Sequence, residues 1–211
     1  KEELTRMGEI CQKYQVKVVS DEIHADFVFK GKHQVFAAIS KEFADFTITC
    51  TSPSKTFNLA GLQISNIFIS NPQIRETFKQ EINRAGYSQL NVAGLVGCEA
   101  AYSDGEEWDE AMKAYVAANI EYTKEYVEQY LSGVSMTEHE GTYLVWLDFR
   151  GTGLGVEELE DLIIHKAKLW LDSGKIFGEK GKGFQRINVA CPRATLTEAL
   201  ERIRKALEER K

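Results

Sequence analysis

The sequence predicts an α/β protein made of two parts, and two patterns of side chains carry this prediction. In the first part, short runs of β-branched and apolar residues alternate with amphipathic helical segments, which is typical of strands buried on both faces of a sheet. After a long helix the pattern changes to a compact βαββα unit. We place a boundary where Gly133 ends that helix, so that residues 1–132 form a large α/β domain and residues 133–211 a small α+β domain.

The elements of the first part follow from the spacing of apolar residues. Residues 2–14 have helical spacing, whereas three later runs are short and apolar, as strands are. These predicted strands are residues 16–20, 43–51 and 64–69. Further helices are predicted over residues 72–85, 88–103 and 106–131.

The second part is predicted to hold three strands and two helices. In chain order they are a strand over 142–149, a helix over 156–167, strands over 169–177 and 184–190, and a helix over 195–210. A glycine-rich segment joins the last two strands. Thr195 or Thr197 is expected near the N-cap of the terminal helix.

Composition excludes several classes of protein. With 43% hydrophobic and 27% charged residues among 211, the chain has the composition of a globular protein. No apolar run reaches the roughly 18 residues that a membrane span needs, so a soluble protein is expected. The net charge of −6 offers no basic surface for nucleic acid. The cysteines are scattered without a C-x-x-C pair, so neither a metal site nor a disulfide framework is expected.

The start of the sequence suggests that more chain belongs to the protein. The first residue is Lys1 rather than Met, and a helical pattern begins at once without a capping residue. We expect a piece of a longer protein that is inactive or barely active alone. No signal peptide is recognisable, so the cytoplasm is the expected location.

The first candidate site is the loop SPSKTFNLAGL, residues 52–62. Lys55 follows a predicted buried strand and has small hydroxyl residues beside it. An exposed loop lysine is one interpretation. The other is an amine poised for Schiff-base chemistry, with Ser52 and Ser54 as hydroxyl donors to an anion.

Two more candidates lie at strand positions. Asp21 follows the strand VKVVS, and ligands of open α/β sheets gather beyond the carboxyl ends of strands. Helix capping is the alternative for Asp21, and a structural role is the alternative for His24 nearby. Arg186 lies inside the alternating strand of FQRINVACPR, where its guanidinium needs an anion. That anion is either a protein carboxylate or a substrate carboxylate bound by two hydrogen bonds.

Taken together, VVSDEIH, SPSKTFNLAGL and FQRINVACPR resemble the class I/II aminotransferase superfamily, the fold-type I enzymes that use pyridoxal 5'-phosphate. Within it, DEIHADFVF and PSKTFNLAGLQ are similar to the cystathionine β-lyase group of the MalY/PatB kind. The resemblance covers the whole chain, which matches the carboxyl-terminal half of the family. It implies that the first domain is part of a large cofactor domain with a mixed, mostly parallel sheet, and that the long helix connects the two domains.

The resemblance also implies a role for each candidate residue. Lys55 matches the lysine that holds the cofactor covalently, and Asp21 matches the aspartate that pairs with the pyridine nitrogen. Ile23 matches the residue packed under the ring, and His24 stands where many relatives have a tyrosine bonded to the phenolic oxygen. The remaining matches are Ser52, with Ser54 near it, at the phosphate, and Arg186 at the substrate α-carboxylate.

The activity implied is carbon–sulfur β-lysis of cystathionine or a related cysteine conjugate to a thiol, pyruvate and ammonia. An aminotransferase on the same scaffold is the first alternative, and a non-catalytic sensor or interaction module is the second. His24 and Gln63, the latter at a position where many aminotransferases have a phosphate-binding arginine, favour the lyase. The expected partners are an amino-acid substrate, an amino-terminal half and a second copy in a homodimer.

Overall fold

A computed structural model describes residues 1–87 and 89–210, and it divides into two compact units, Lys1–Glu110 and Ala111–Lys211. The boundary expected at residues 132/133 lies within the second unit and stays a prediction. The elements in chain order are α1 (Glu2–Lys13), β1 (Val18–Asp21), α2 (Lys41–Phe46), β2 (Thr47–Thr51), β3 (Asn66–Ile69), α3 (Pro72–Arg84), α4 (Val92–Asp104), α5 (Glu106–Tyr130), β4 (Ser135–Met136), β5 (Leu144–Asp148), α6 (Val156–Asp161), β6 (Asp172–Ser173), β7 (Phe184–Asn188) and α7 (Arg193–Glu208). No helix in the described ranges is long and apolar enough to cross a bilayer.

The first unit contains a mixed three-stranded sheet in the order β1-β2-β3. Strand β1 is parallel to β2, and β3 is antiparallel to it. The α/β class and the mixed sheet are therefore confirmed. Because β1 and β2 are parallel neighbours, their carboxyl ends lie side by side, with Asp21 opposite Cys50.

A phenylalanine cluster forms the described core of the first unit. Phe36 stacks on Phe43 with ring centroids 5.4 Å apart, and Phe46 completes the group. Val18 packs against this cluster, whereas Val19 on the opposite face of β1 is 66% exposed. The expectation that this strand is buried on both faces is wrong for the described residues, because the cluster covers one face only.

Several elements begin at other residues than predicted, and helix capping explains part of the difference. The strand predicted over residues 43–51 begins only at Thr47, because Ser40 caps a short helix by accepting a hydrogen bond from Phe43 N at 3.1 Å. Asn71 caps α3, since its side chain accepts from two amides of the first turn. The helix predicted over residues 88–103 begins at Val92, and its predicted first residue, Ser88, lies outside the described residues.

The second unit holds an antiparallel sheet in the order β4-β5-β7-β6. Strand β7 alternates: Gln185 and Ile187 are buried, and Arg186 lies on the other face opposite Trp146 and Asp172. The Gln185 side chain donates to Glu160 Oε1 at 2.8 Å, which satisfies the buried amide and holds the strand in register.

A buried asparagine joins the end of β7 to α5. Asn119 is fully buried and donates to the carbonyls of Val189 and Cys191 at 2.8 and 2.9 Å. Its amide oxygen accepts from Arg193 Nε at 2.7 Å. These bonds satisfy the backbone where β7 turns into α7, which begins at Arg193 rather than at Thr195 or Thr197.

The strand predicted over residues 169–177 is reduced to Asp172–Ser173, followed by a 3-10 turn over Gly174–Phe177. Two glycines explain the shortening. A Cβ on Gly174 would lie 1.9 Å from the carbonyl oxygen of Gly181, and one on Gly181 would lie 2.1 Å from that of Gly174. This backbone contact pulls the chain out of the sheet. The helix predicted over 156–167 forms, but its last part, Leu162–Lys166, is a π-helical turn.

The glycine contact gives a stability prediction. In Gly174→Ala the added methyl group would overlap a backbone carbonyl, so the free energy of unfolding of the intact protein should fall by about 2–4 kcal/mol. Denaturant unfolding measures this change. Gly61→Ala is the control, because nothing lies within 4 Å of its Cβ position, and it should change stability by no more than about 0.5 kcal/mol. Equal effects of the two substitutions would contradict the assignment of a tight backbone contact.

Candidate active site

The candidate site of the first unit lies where β1 and β2 end. Their parallel pairing places the segment after Asp21 beside the loop that follows Thr51. The amide of Glu22 extends the pairing by donating to the carbonyl of Cys50 at 2.9 Å. The sheet therefore brings two of the sequence-predicted segments, DEIH and SPSK, to one edge.

Asp21 is an exposed carboxylate at this edge. Its Oδ1 accepts from the amide of Ile23 at 3.2 Å, which fixes a turn directly after the strand. Helix capping, the alternative weighed for Asp21, is not its role. On the neighbouring strand, burial and then the negative charge of Asp21 raise the pKa of the Cys50 thiol, so that this cysteine stays protonated beside the carboxylate.

Glu22 holds the turn in place from the inside, and sequence analysis missed it. Its side chain is 7% exposed and accepts from Ser20 Oγ at 2.9 Å and from the Phe36 amide at 3.2 Å. His33 Nε2 lies 2.9 Å from its other oxygen. Successive side chains of an extended chain point to opposite sides. Because Glu22 is anchored inside, the side chain of Asp21 points outwards. The signal in the sequence was the adjacency of two acids at a strand end.

Ile23 and His24 lie in the turn after β1, and both are half-buried. The carbonyl of His24 accepts from the amide of Phe27 at 3.1 Å. The ring centroid of His24 is 6.2 Å from that of Phe27, and Phe27 is 1% exposed. The turn thus places both predicted residues close in sequence and space to Asp21.

Ser52 and Ser54 form a hydroxyl pair at the start of the second loop. Ser52 is 6% exposed, and its Oγ donates to the carbonyl of Ile64 at 2.7 Å. The same oxygen accepts from the Ser54 amide at 3.1 Å and lies 2.5 Å from Ser54 Oγ. Because the only hydroxyl proton of Ser52 goes to Ile64, Ser54 is the donor between the two hydroxyls.

Lys55 is exposed, and within residues 1–87 and 89–210 its ammonium group has no hydrogen bond or ion pair. The loop that carries it is strained, since Asn58 and Gln63 have left-handed backbone angles of φ 55° and 51°. Strain of this kind persists only where surrounding contacts hold it. An amine without a partner on a held loop is available for chemistry.

Two further contacts hold this loop, and sequence analysis missed both. Thr56, which is 2% exposed, donates its hydroxyl to Asp26 Oδ2 at 2.6 Å, so the residue after Lys55 is tied to the segment after Asp21. Phe57 packs against Trp108 and Tyr102, with ring centroids 5.7 and 6.0 Å away. Trp108 is 49% exposed and supports the loop from the first turns of α5.

Arg186 lies in the second unit and is described within that unit. Its Nε and Nη2 both donate to Asp172 Oδ2, at 3.1 and 2.7 Å. The guanidinium carbon lies 4.7 Å from the centroid of the Phe177 ring. Of the two anions considered for Arg186, the protein carboxylate is therefore present. A substrate carboxylate stays a prediction.

The sequence matches the family described as aminotransferase class I and II over residues 1–203, which is nearly the whole chain. The chain belongs to this family. It is 41% identical over 208 residues to cystathionine beta-lyase PatB of Bacillus subtilis, covering 98% of this chain and 54% of that protein. It is 31% identical over 197 residues to protein MalY of Escherichia coli, covering 92% of this chain and 50% of that protein.

Among solved structures of this family, cystalysin from Treponema denticola superposes with a TM-score of 0.95 at 39% identity, over 100% of this chain and 54% of that one. That structure contains a pyridoxal 5'-phosphate cofactor. The likeness confirms the fold-type I architecture expected from the sequence. The chain spans about half the length of the relatives it matches.

The link between the two loops gives a prediction. Thr56→Val keeps the shape of the side chain but removes the hydrogen bond to Asp26, so the free energy of unfolding should fall by about 1–2 kcal/mol. Denaturant unfolding of the intact protein measures it. Thr77→Val, which removes an exposed hydroxyl bonded within α3, is the control. If both variants lose the same amount, the bond between the loops contributes nothing of its own.

Proposed function

We propose that the chain is the carboxyl-terminal part of a pyridoxal-phosphate-dependent carbon–sulfur β-lyase of this family. The observation that carries the proposal is the placement of Lys55: an amine without a partner among the described residues, on a held loop beside the strand end that bears Asp21. The identity to a protein named as a cystathionine beta-lyase supports the same choice.

The residues present fit the cofactor. Pyridoxal phosphate has a basic ring nitrogen, an aldehyde and a phosphate, and the first unit supplies a carboxylate, an amine and hydroxyl donors for them. Asp21 is exposed, and within residues 1–87 and 89–210 its carboxylate accepts only the turn bond from Ile23, so it keeps acceptor capacity for a ring nitrogen. Ser54 can turn its hydroxyl from Ser52 to a phosphate oxygen, whereas Ser52 would have to give up its bond to Ile64.

When bound, the cofactor supplies the electron sink that stabilises negative charge at the substrate Cα. Asp21 favours a proton on the ring nitrogen, because a nearby anion stabilises the cationic form. Lys55 Nζ removes the Cα proton as a general base. Ile23 and His24 would help to hold the bound cofactor, as the family resemblance implies, and Arg186 would bind the substrate α-carboxylate. Overall, a cysteine thioether and water give a thiol, pyruvate and ammonia.

Two departures from the aminotransferase pattern favour the lyase. His24 replaces a tyrosine, and Gln63 replaces a cationic residue at the phosphate. In the structure Gln63 is exposed with a left-handed backbone, a conformation that brings a cost for any residue except glycine. The phosphate site would then be less positive than in an aminotransferase with arginine there.

The active molecule is proposed to contain more than this chain. We propose that an amino-terminal half supplies the remaining phosphate and ring contacts and that two copies form a homodimer. Coverage of about half of each relative supports the first point. All four cysteines are free thiols, which suits the reducing cytoplasm as the proposed location.

The reaction itself can be tested directly. The full-length enzyme with pyridoxal phosphate should release pyruvate from L-cystathionine without any added keto acid. Pyruvate can be measured by its reduction with lactate dehydrogenase. Turnover that strictly requires a keto acid acceptor would establish an aminotransferase instead, and binding without turnover of either kind would favour the sensor.

The role of Asp21 gives a second prediction. Asp21→Asn keeps the shape and the acceptor oxygen but loses the charge, so kcat should fall at least about 100-fold while KM changes little, because the charge matters most in the transition state. Steady-state kinetics with saturating cofactor measure both constants. Asp45→Asn, an exposed aspartate bonded to Asn71, is the matched control and should leave both unchanged. An unchanged kcat in Asp21→Asn would refute the role.

A further inference from the structure

Asp172 forms a pair with Arg186 that leaves part of the guanidinium unused. The two residues are direct register partners across β6 and β7, so their side chains share one face of the sheet. Both hydrogen bonds of the pair end on the same oxygen, Oδ2 of Asp172. They occupy the edge of the guanidinium formed by Nε and Nη2.

The end of the guanidinium, between Nη1 and Nη2, has no bonded partner among the described residues. Arginine has five N–H donors in a planar fork, and Asp172 uses one on Nε and one on Nη2. One N–H on Nη2 and two on Nη1 remain, and none of them bonds to a described residue. The edge between the two terminal nitrogens therefore presents the paired donors that a carboxylate accepts by two parallel bonds.

The plane of the guanidinium is fixed from a second direction. Phe177 lies under it at 4.7 Å, and Trp146 contacts Phe177 edge-on with ring centroids 5.0 Å apart. The turn that carries Phe177 is the one shaped by the contact of Gly174 with Gly181. Asp172 fixes how the guanidinium of Arg186 is rotated within its own plane, and the ring of Phe177 fixes the orientation of that plane.

We propose that Asp172 is a positioning residue, which orients the free edge of Arg186 towards the α-carboxylate of the substrate. This inference rests on the proposed role of Arg186. Asp172 does not touch the reacting atoms. Its side chain is 46% exposed, so water screens its charge, and its contribution comes from direction rather than from electrostatic attraction.

The charge of Asp172 and its orientation of the Arg186 guanidinium have opposite effects on binding of a carboxylate. The direction of the change in affinity therefore tests the proposal. Removing a negative charge beside Arg186 would by itself favour binding of a carboxylate. Removing the acceptor that holds the fork would weaken binding. Because a single oxygen accepts both bonds, an asparagine carbonyl can replace it, so Asp172→Asn removes the charge and keeps the orientation, whereas Asp172→Ala removes both.

The experiment uses the full-length holoenzyme with S-ethyl-L-cysteine and its α-carboxamide, and it measures released ethanethiol. Asp172→Ala should lower kcat/KM for the acid about tenfold through KM, with kcat and cofactor absorbance unchanged. Asp172→Asn should stay within about threefold of the natural enzyme. With the carboxamide, Asp172→Ala should have no effect, because the paired acceptor oxygens of a carboxylate are absent.

The same unit offers a matched control. Arg150 likewise pairs with an aspartate and lies over an aromatic ring: its Nε and Nη2 donate to the two oxygens of Asp148, and it lies 4.6 Å from the centroid of Phe184. Asp148→Ala should leave kcat/KM for the acid unchanged. An Asp172→Ala enzyme that binds the acid as well as or better than the natural enzyme would overturn the proposal, and so would an equal loss with the carboxamide.

Arg186→Lys separates this inference from the proposed function. A lysine cannot reproduce two parallel bonds, so the substitution should lower kcat/KM for the acid more than Asp172→Ala does. If Arg186→Lys is harmful and Asp172→Ala is not, the positioning role alone is wrong. If Arg186→Lys is harmless, the carboxylate site fails and the role of Asp172 with it.

If ethanethiol is not released, the same comparison is made for transamination of alanine and alaninamide, because carboxylate recognition does not depend on the fate of the side chain.

Discussion

The parallel pairing of β1 with β2 is the constraint on which the candidate site depends. It places two strand ends side by side, so that a carboxylate at one and an amine-bearing loop at the other become neighbours although 33 positions separate Asp21 from Lys55 in the sequence. The covering phenylalanine cluster stabilises this pair of strands on one face. Without that pairing, none of the later contacts between the two segments could form.

The residues next to the three candidate side chains share one feature. Asp21 is followed by buried Glu22, Lys55 by buried Thr56, and Arg186 is flanked by Gln185 and Ile187. In each case the candidate side chain, exposed in Asp21 and Lys55 and half-buried in Arg186, is adjacent to a buried residue, and the buried polar groups have hydrogen-bond partners. The buried neighbour fixes the backbone, so the candidate side chain is presented in a defined direction.

The sequence predicted the parts of the structure that depend on local pattern. Periodicity located most helices, and the motifs singled out Asp21 and Lys55, whose segments follow two strands that pair in parallel. It could not predict that Phe43 and Phe46 are helical, since this follows from one capping bond of Ser40. Nor could it find Asp26 opposite Thr56 or Asp172 opposite Arg186, because those pairings arise from tertiary register rather than from neighbouring residues. The length of strand β6 was overestimated for a related reason: a close backbone contact between Gly174 and Gly181 follows directly after it.

The alternation of buried and more exposed side chains along β7 determines how this region could misfold. A slip of one residue against β5 would turn Arg186 inwards and bring Gln185 or Ile187 to the face that now carries Arg186. The slipped strand would keep its backbone hydrogen bonds and nearly the same spectroscopic content of β-structure. Recognition could thus be lost in a protein that still looks folded by circular dichroism, and the buried amide of Gln185, held by Glu160, is the feature that makes such a silent misfolding unfavourable.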